Sequence, residues 1–397
     1  MPAAADARPL VRIRPGAERR LKAGHPWAFS NEIAMHPELR ALPPGGLIRL
    51  EGDDGVRFGT CFYNPRSLIA ARRLDPDPSA TIDVAWLRRR LAEAASLRAR
   101  FYTAPFYRLV HAEADRLPGL IVDRFGPLLV VQANAAGMDR RLPEISAALE
   151  ALGPFAGVLA RNDSEARRLE GLGQEIRLLA GIVPDELVVE EGEIAFPADP
   201  RGGQKTGWFY DQRENRDRVA ALARGARVLD LFCHTGGFAL RAAAAGAERV
   251  LAFDTSAPAL ALAERAALRN GLAAEFRRAD AFAALAGLAD AAVRFDIVVC
   301  DPPAFIPSRK DQAAGLRAYA RLARLAASVV APEGFLFVAS CSHHATAEAF
   351  AASVAHGLSR AGRSGRIVHA GGAGPDHPTH PHLPESAYLK TLLLQLF

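Results

Sequence analysis

Lysine is scarce in this chain. Of its 49 lysine and arginine residues only four are lysine, Lys22, Lys205, Lys310 and Lys390, in a sequence rich in alanine and arginine. Each survivor lies in or beside a stretch with other signals, as expected where a compact ammonium is needed and a planar guanidinium will not serve. Cysteine is scarce too. The four, Cys61, Cys233, Cys300 and Cys341, are widely spaced with no CxxC pair, which argues against structural zinc or a disulfide framework and for a reducing cytoplasm. No apolar run approaches the ~20 residues of a membrane span. The opening MPAAADARPLVRIR has no apolar core of the kind a secretion signal needs. A net charge of +5 fits an anionic partner without requiring one. Half the residues are hydrophobic, enough for buried cores, and 397 residues suggest two or three domains at ~100–200 residues each.

The chain is organised around VLDLFCHTGGFAL, Val228 to Leu240. It reads as a buried strand over Val228 to Phe232, a tight turn at Thr235-Gly236-Gly237 and a helix from near Phe238. Glycine lets a ligand approach the backbone, and a helix N-terminus offers N–H groups to an anion. Both glycines are free to take positive φ. The next strand, Arg249 to Phe253, ends in Asp254, where an acid one βαβ step later can take two ribose hydroxyls. The glycines are adjacent and not spaced as GxGxxG, and nothing resembles GxxxxGK(S/T). That moves the reading from NAD or ATP to S-adenosylmethionine (SAM), whose methionine carboxylate can sit over the turn.

Residues 1–75 read as a small β-rich domain, with strands at Leu47 to Leu50 and Val56 to Tyr63 and a helix at Ala17 to Ala23. Its Lys22, His25 and Trp27 mix cations with an aromatic, the pairing that holds phosphate and stacks on a base; a core Trp27 beside a solvated basic face is the plainer alternative. Residues 76–199 open on a linker and an amphipathic helix, Thr81 to Phe101. They continue as an α+β region in which Glu113-Ala114-Asp115 is expected to be a structural turn.

From residue 200 to 397 the pattern becomes regular. The polar stretch PRGGQKTGWFYDQRENRDR carries Lys205 and Gln212 beside aromatics and suits covering a cofactor or gripping substrate. Asp211 as N-cap of an ordinary helix over Gln212–Ala223 is the plainer reading, and both can hold. Seven strands with interposed helices then indicate an α/β, doubly wound, mostly parallel sheet, with the last strand inserted antiparallel. Ligands bind such sheets at the strands' carboxyl ends, so Asp230, Asp254, Asp280, Asp301 and Cys341 should line one crevice.

Two of those ends carry the chemistry. Asp301-Pro302-Pro303-Ala304-Phe305 is a stiff loop that can present a carboxylate to a flat substrate, with Phe305 stacking on it; a rigid turn with Phe305 in the core is the plainer alternative, and Lys310 follows as a further RNA-contacting cation. Ser340-Cys341-Ser342-His343-His344 ends the next strand. Carbon 5 of a pyrimidine is a poor nucleophile until a thiolate adds to C6, and Cys341 is placed to supply it. Cys233 and Cys300 read as packing residues. His343 and His344 either assist proton removal or cap the following helix. The tail Asp376-His377-Pro378-Thr379-His380-Pro381-His382 invites a metal, but its prolines oppose helical ligand spacing, and a substrate-side loop is the expectation.

In order along the chain, HPWAFSNEI, EADRLPGLIVDRFG, QKTGWFYDQRENR, LDLFCHTGGFAL, FDTS, DPPAF, SCSHH and PESAYLK resemble the bacterial 23S ribosomal RNA large-subunit methyltransferase I family. These are SAM-dependent cytosine-C5 enzymes. The resemblance implies a class I methyltransferase, Rossmann-like, behind an N-terminal PUA domain that binds RNA and a central α+β domain. It implies Cys341 as nucleophile, Asp301 as a contact to the base edge, and Asp230, Gly236, Asp254 and Asp280 as cofactor contacts, joined by Gly237 and Gln212 from the residue reading above. It implies 23S ribosomal RNA as partner; no membrane and no metal are expected from the residue reading above, and a homodimer stays open. Many RNA cytosine-C5 enzymes carry a second cysteine just after the acid-proline pair. Here Ala304 stands in that neighbourhood, so the acceptor of the C5 proton is unassigned. A guanine methyltransferase needing no nucleophile, and an RNA-binding assembly protein with an inactive methyltransferase domain, are the rival readings.

Overall fold

A computed structural model describes residues 8–397; residues 1–7, part of the stretch read for a secretion signal, lie outside the described residues. The chain forms two compact units. The first takes in the chain through Leu187 together with Asp199–Gly207 and Pro375–Ser386, and the second takes in Val188–Ala198, Trp208–Gly374 and Ala387–Phe397. The sequence suggested three segments, 1–75, 76–199 and 200–397. Instead residues 188–198 join the second unit, and two polar side chains account for it. Asn270 accepts from the Ala195 N–H and donates to its carbonyl, both at 2.9 Å, and Glu191 is clamped by Arg216.

The first unit holds two five-stranded sheets. One runs in the order Leu10–Arg12, Gly46–Glu51, Arg57–Tyr63, Ile69–Asp75, Trp27–Phe29, around a core that includes Val11, Ile13, Ala28, Ile48 and Cys61. The other runs Glu175–Gly181, Gly157–Asn162, Leu128–Ala133, Leu120–Phe125, Phe106–His111 and is covered by the helices Val84–Arg98 and Leu142–Glu150. The first helix is shorter than the sequence suggested because Asp83 accepts the Trp86 N–H at 2.8 Å and starts it there. Residues 112–115 are a turn of 3-10 helix, and Asp115 takes both forks of the buried Arg98 at 2.5 and 2.8 Å. The same Arg98 donates to the Asp376 carbonyl at 2.8 Å, and the Arg108 N–H to the Asp376 carboxylate at 3.0 Å. Asp376 and His377 are therefore buried structure, which corrects the expectation of a substrate-side loop for that part of the tail.

The second unit is a seven-stranded sheet. Its strands are β1 (Arg227–Leu231), β2 (Arg249–Asp254), β3 (Glu275–Arg278), β4 (Phe295–Cys300), β5 (Val330–Ser340), β6 (Gly365–Gly371) and β7 (Lys390–Leu396), in the order β3-β2-β1-β4-β5-β7-β6. The helices are α1 (Arg213–Ala220), α2 (Gly237–Ala244), α3 (Ala257–Arg269), α4 (Ala281–Asp290), α5 (Gln312–Val329) and α6 (Ala347–Arg360). The central strands are continuous apolar runs, as burial on both faces demands. Leu229, Leu231, Val298 and Leu336 enter one core with α5 and α6; Val228, Ile297, Val299 and Phe337 enter another with α2. β7 runs antiparallel to both neighbours, as expected from a last strand with no helix after it. Among the described residues no helix is long and apolar enough to cross a membrane.

Arg216 anchors α1 from inside. Its Nε and Nη2 meet the two Glu191 oxygens at 2.5 and 2.6 Å, its guanidinium lies 4.9 Å from the Trp208 ring, and Trp208 Nε1 donates to Glu191 at 3.2 Å. Burial opposes the charge on Glu191, yet Arg216 holds its carboxyl below the ordinary glutamate value. Arg216→Ala leaves that buried carboxylate with only the Trp208 N–H and the more distant Arg213, whose Nε lies 3.7 Å away, at a cost of up to about 3–5 kcal/mol in urea unfolding of this unit. In the native protein the pair's contribution is complete above the unfolded glutamate pKa, about 4.3, and is lost as pH falls through the lower folded value.

Candidate active site

Strand register decides which side chains share the edge. Leu231 of β1 lies opposite Cys300 of β4, Cys300 opposite Val338 of β5, and Ser340 of β5 opposite Lys390 of β7. Asp301 and Cys341, each one residue beyond its strand, and Lys390 therefore issue from one edge of the sheet. The Asp301 N–H donates to the Leu231 carbonyl at 3.4 Å.

The Cys341 segment is held from three sides. Ser340 Oγ donates to the buried Tyr319 hydroxyl of α5 at 2.8 Å, and that hydroxyl shares a hydrogen bond with Ser342 Oγ at 2.9 Å. Ser342 Oγ also accepts the Ile306 N–H at 3.1 Å, so it ties the cysteine loop to the Asp-Pro-Pro loop. Lys390 Nζ donates to the Ser342 carbonyl at 2.6 Å and to the Tyr388 carbonyl at 2.8 Å. Its half-burial pulls the ammonium below the ordinary lysine value, and nearby Cys341 pushes the other way, so cation and thiol feel each other. Cys341 alone of the four cysteines is not buried. Burial pushes the Cys61 thiol up to about 12 and raises Cys233 and Cys300 well above the ordinary range.

The glycine turn differs from its sequence reading in detail. β1 stops at Leu231; Phe232 at φ 62° and His234 at φ 48° take left-handed conformations costly for residues with a Cβ. Gly236, at φ 78°, is the N-cap of α2, while Gly237 is already helical. An added Cβ at Gly236 would come within 3.1 Å of the Phe276 ring, and one at Gly237 within 3.0 Å of the Arg216 side chain. Asp254 joins two loops, since its carboxylate accepts the His234 N–H at 2.9 Å and the Ser256 N–H at 2.8 Å. Each oxygen keeps a lone pair for a ligand hydroxyl. Asp280 caps α4 by accepting the Ala283 N–H at 3.0 Å. Asp211, expected as an N-cap, does not cap α1; its carboxylate accepts the Tyr388 hydroxyl at 2.5 Å. Gln212 is buried and accepts from Asn215 Nδ2 at 2.7 Å.

Asp230 is fully buried. One oxygen accepts the Ala239 N–H at 3.0 Å, and the other has no partner within the protein. Burial, with the neighbouring Asp301 and Asp254 carboxylates adding to it, raises its pKa well above the ordinary aspartate value. An orphaned acceptor of this kind is costly unless a ligand completes it, and the amino group of SAM's methionine end is a donor that would. Residues present and cofactor fit each other on this point.

The sequence matches the S-adenosylmethionine-dependent methyltransferase family over residues 176–395 and a PUA-like domain over residues 11–76. It is 35% identical to the ribosomal RNA large subunit methyltransferase I of Cronobacter sakazakii, over 94% of this chain and 96% of that protein. The protein of the same name from Pseudoalteromonas atlantica is 34% identical, over 97% and 99%. The chain belongs to the ribosomal RNA large subunit methyltransferase I family. Its cofactor is S-adenosylmethionine. Among solved structures, a Streptococcus mutans protein assigned as a SAM-dependent methyltransferase shares the fold, with 20% identity over 98% of this chain and 100% of that chain and a TM-score of 0.82. A methyltransferase complexed with SAH does too, at 20% identity, 98% and 99% coverage and a TM-score of 0.83.

Seen against family membership, the expected RNA contacts fare unevenly. Lys22, His25, Trp27 and Lys205 lie in the first unit, Phe305 and Lys310 in the second. Lys22, Lys205 and Lys310 are exposed, Lys22 in an ion pair with Asp54 at 2.5 Å. His25 is a correction: it is buried, its Nδ1 sits 3.1 Å from both the N–H and the carbonyl of Trp27, and burial with Arg20 lowers its pKa. Trp27 donates to Glu113 at 2.8 Å and has the Arg72 guanidinium 5.3 Å from its ring. Phe305 is partly buried, its ring packed between Tyr319 at 4.8 Å and Phe282 at 6.2 Å. Among the described residues no group of three His, Cys, Asp or Glu could hold a metal ion. Lys390 and Tyr319 were missed as site residues; scarcity of lysine and its place in PESAYLK were the hints for the first.

Two outcomes follow from this geometry. Asp230→Asn keeps the bond to Ala239 but turns the orphaned acceptor into a donor, so calorimetry should find SAM bound roughly 10- to 100-fold more weakly, the equivalent of about 1.5–3 kcal/mol. Lys390→Met removes the cation beside the thiol, and the pH midpoint for alkylation of Cys341 by iodoacetamide should move upward.

Proposed function

We propose that the protein methylates carbon 5 of a cytidine in 23S ribosomal RNA in the cytoplasm, with Cys341 as a covalent nucleophile. The supporting observation is that the one cysteine outside the core stands at the strand edge beside the Asp301 loop, locked to it through Ser342. In this reading the Cys341 thiolate, favoured by the Lys390 ammonium, adds to C6 of the ring. The C5–C6 bond then carries enamine character, and C5 becomes the nucleophile. Bound S-adenosylmethionine supplies an electrophilic methyl group. Asp301 holds the ring-nitrogen edge by a hydrogen bond, with the proton on either the acid or the base. Loss of the C5 proton restores the double bond and expels the thiolate, so the cysteine leaves unchanged. Asp254, Asp280, Gly236, Gly237, Gln212 and Asp230 hold the cofactor, and Lys22, Trp27, Lys205 and Lys310 contact RNA.

Cys341→Ala should retain SAM binding and lose cytidine methylation by roughly 10⁴-fold or more, the scale of removing a nucleophile. The measurement is mapping of methylated cytidines in 23S ribosomal RNA from cells carrying the native gene, the variant or neither. Cytidine methylation that persists in the variant would sink the covalent mechanism, and a gene-dependent methyl group found on guanine and retained in the variant would favour the guanine reading.

A further inference from the structure

Away from the strand-edge site, α5 and α6 carry a concentration of positive charge that the reaction does not use. Arg317, Arg321 and Arg324 fall at i, i+4 and i+7 of α5, on one face. His356 and Arg360 fall at i and i+4 of α6. The two helices can bring these rows together because Gly357 lies at their crossing, where a Cβ would come within 2.4 Å of the Ala320 carbonyl and 2.8 Å of the Ala323 methyl. The rows converge on a cavity of about 310 Å³ lined by Arg317, Ala320, Arg321, Arg324, His356 and Arg360.

No carboxylate answers this charge. α5 has no acid along its length, and the single acid of α6, Glu348, lies eight residues before His356, ~12 Å along the helix. Among the described residues none of the four arginines has an ion pair. Arg360, in the last turn of α6, is favoured there by the helix dipole. The α5 arginines have no such compensation, and like charges four residues apart destabilise a helix. Arg321 is held with its guanidinium 4.9 Å from the Phe282 ring, which orients it.

We propose that this cleft binds the phosphodiester backbone of the RNA substrate, as a contact separate from the strand-edge site. The proposal rests on the reading of ribosomal RNA as substrate. Guanidinium forks match phosphate oxygens in pairs. Four of the six lining residues are arginines, with His356 and Ala320 completing it, so charge dominates the contact and its main role is to position RNA.

The test is binding of transcribed 23S ribosomal RNA to the full chain across a salt series, native against a variant with Arg317, Arg321, Arg324 and Arg360 all changed to Gln. Each lost phosphate contact should flatten the slope of log K against log salt by ~0.7–0.9. A loss of two to three contacts is expected, with KM for RNA raised and kcat at saturating RNA and SAM affinity unchanged. The matching four-Lys variant keeps the charge and should keep most of the slope. If the four-Gln variant is poorly folded, the pair Arg317→Gln and Arg321→Gln should show a proportionate change. Native-like affinity and slope in the Gln variants would overturn the cleft alone. Native protein that does not bind the RNA at all would overturn the substrate reading with it. Unchanged RNA affinity with lost association to ribosomal particles would assign the cleft to a protein partner and also overturn the proposal.

Discussion

Register between parallel strands is the constraint on which the candidate site depends. Leu231, Cys300 and Val338 lie in hydrogen-bonded succession across β1, β4 and β5, and β7 returns antiparallel with Lys390 beside Ser340. Because side chains alternate with a period of two, a one-residue slip would turn whole strands over and exchange core for solvent. The apolar runs of these strands, buried on both faces, make such a slip costly. An acid, a thiol and an ammonium separated by up to 89 residues in sequence therefore arrive at one edge.

Around that edge the protein spends stability in identifiable places. Phe232 and His234 sit in left-handed backbone, Asp230 is buried with an oxygen unpartnered, and Lys390 is half buried beside the carbonyls of Ser342 and Tyr388. Such departures cluster where a ligand or a reaction can offset them. They are supported by ordinary structure close by. Asp254 ties the strained turn to the loop after β2, Tyr319 and Ser342 tie the cysteine loop to α5 and to the Asp-Pro-Pro loop, and Arg216 with Glu191 secures α1. The contrast among the cysteines belongs to the same pattern, with three sealed in cores where the thiolate is suppressed and one left at a polar edge.

Much of this was legible in the residues. Apolar strands alternating with helices, the glycine turn and the antiparallel last strand are local patterns, written in neighbouring residues by the periods of strand and helix. The motif series then narrowed the family, and the acids and Cys341 were placed at strand ends by counting alone. Less legible was the use of side chains whose partners are far away in sequence. His25 looked exposed because histidine serves both surfaces and cores, and only its packing against Trp27 decides that it is buried here. Asp376 looked like a loop residue until Arg98 and Arg108, more than 260 residues earlier, claimed it, and His377 is buried beside it.

The sequence by itself determined the secondary-structure alternation, the doubly wound class and the identity of the reactive candidates, since each depends on residue type and short-range spacing. Tertiary structure alone decided that Lys390 and Tyr319 attend Cys341, that Asp230 lacks a partner, that residues 188–198 join the second unit, and that an arginine row of α5 meets His356 and Arg360 of α6 over Gly357. Those are facts about distance and burial. They arise when separate segments pack, and no window along the chain contains both partners at once.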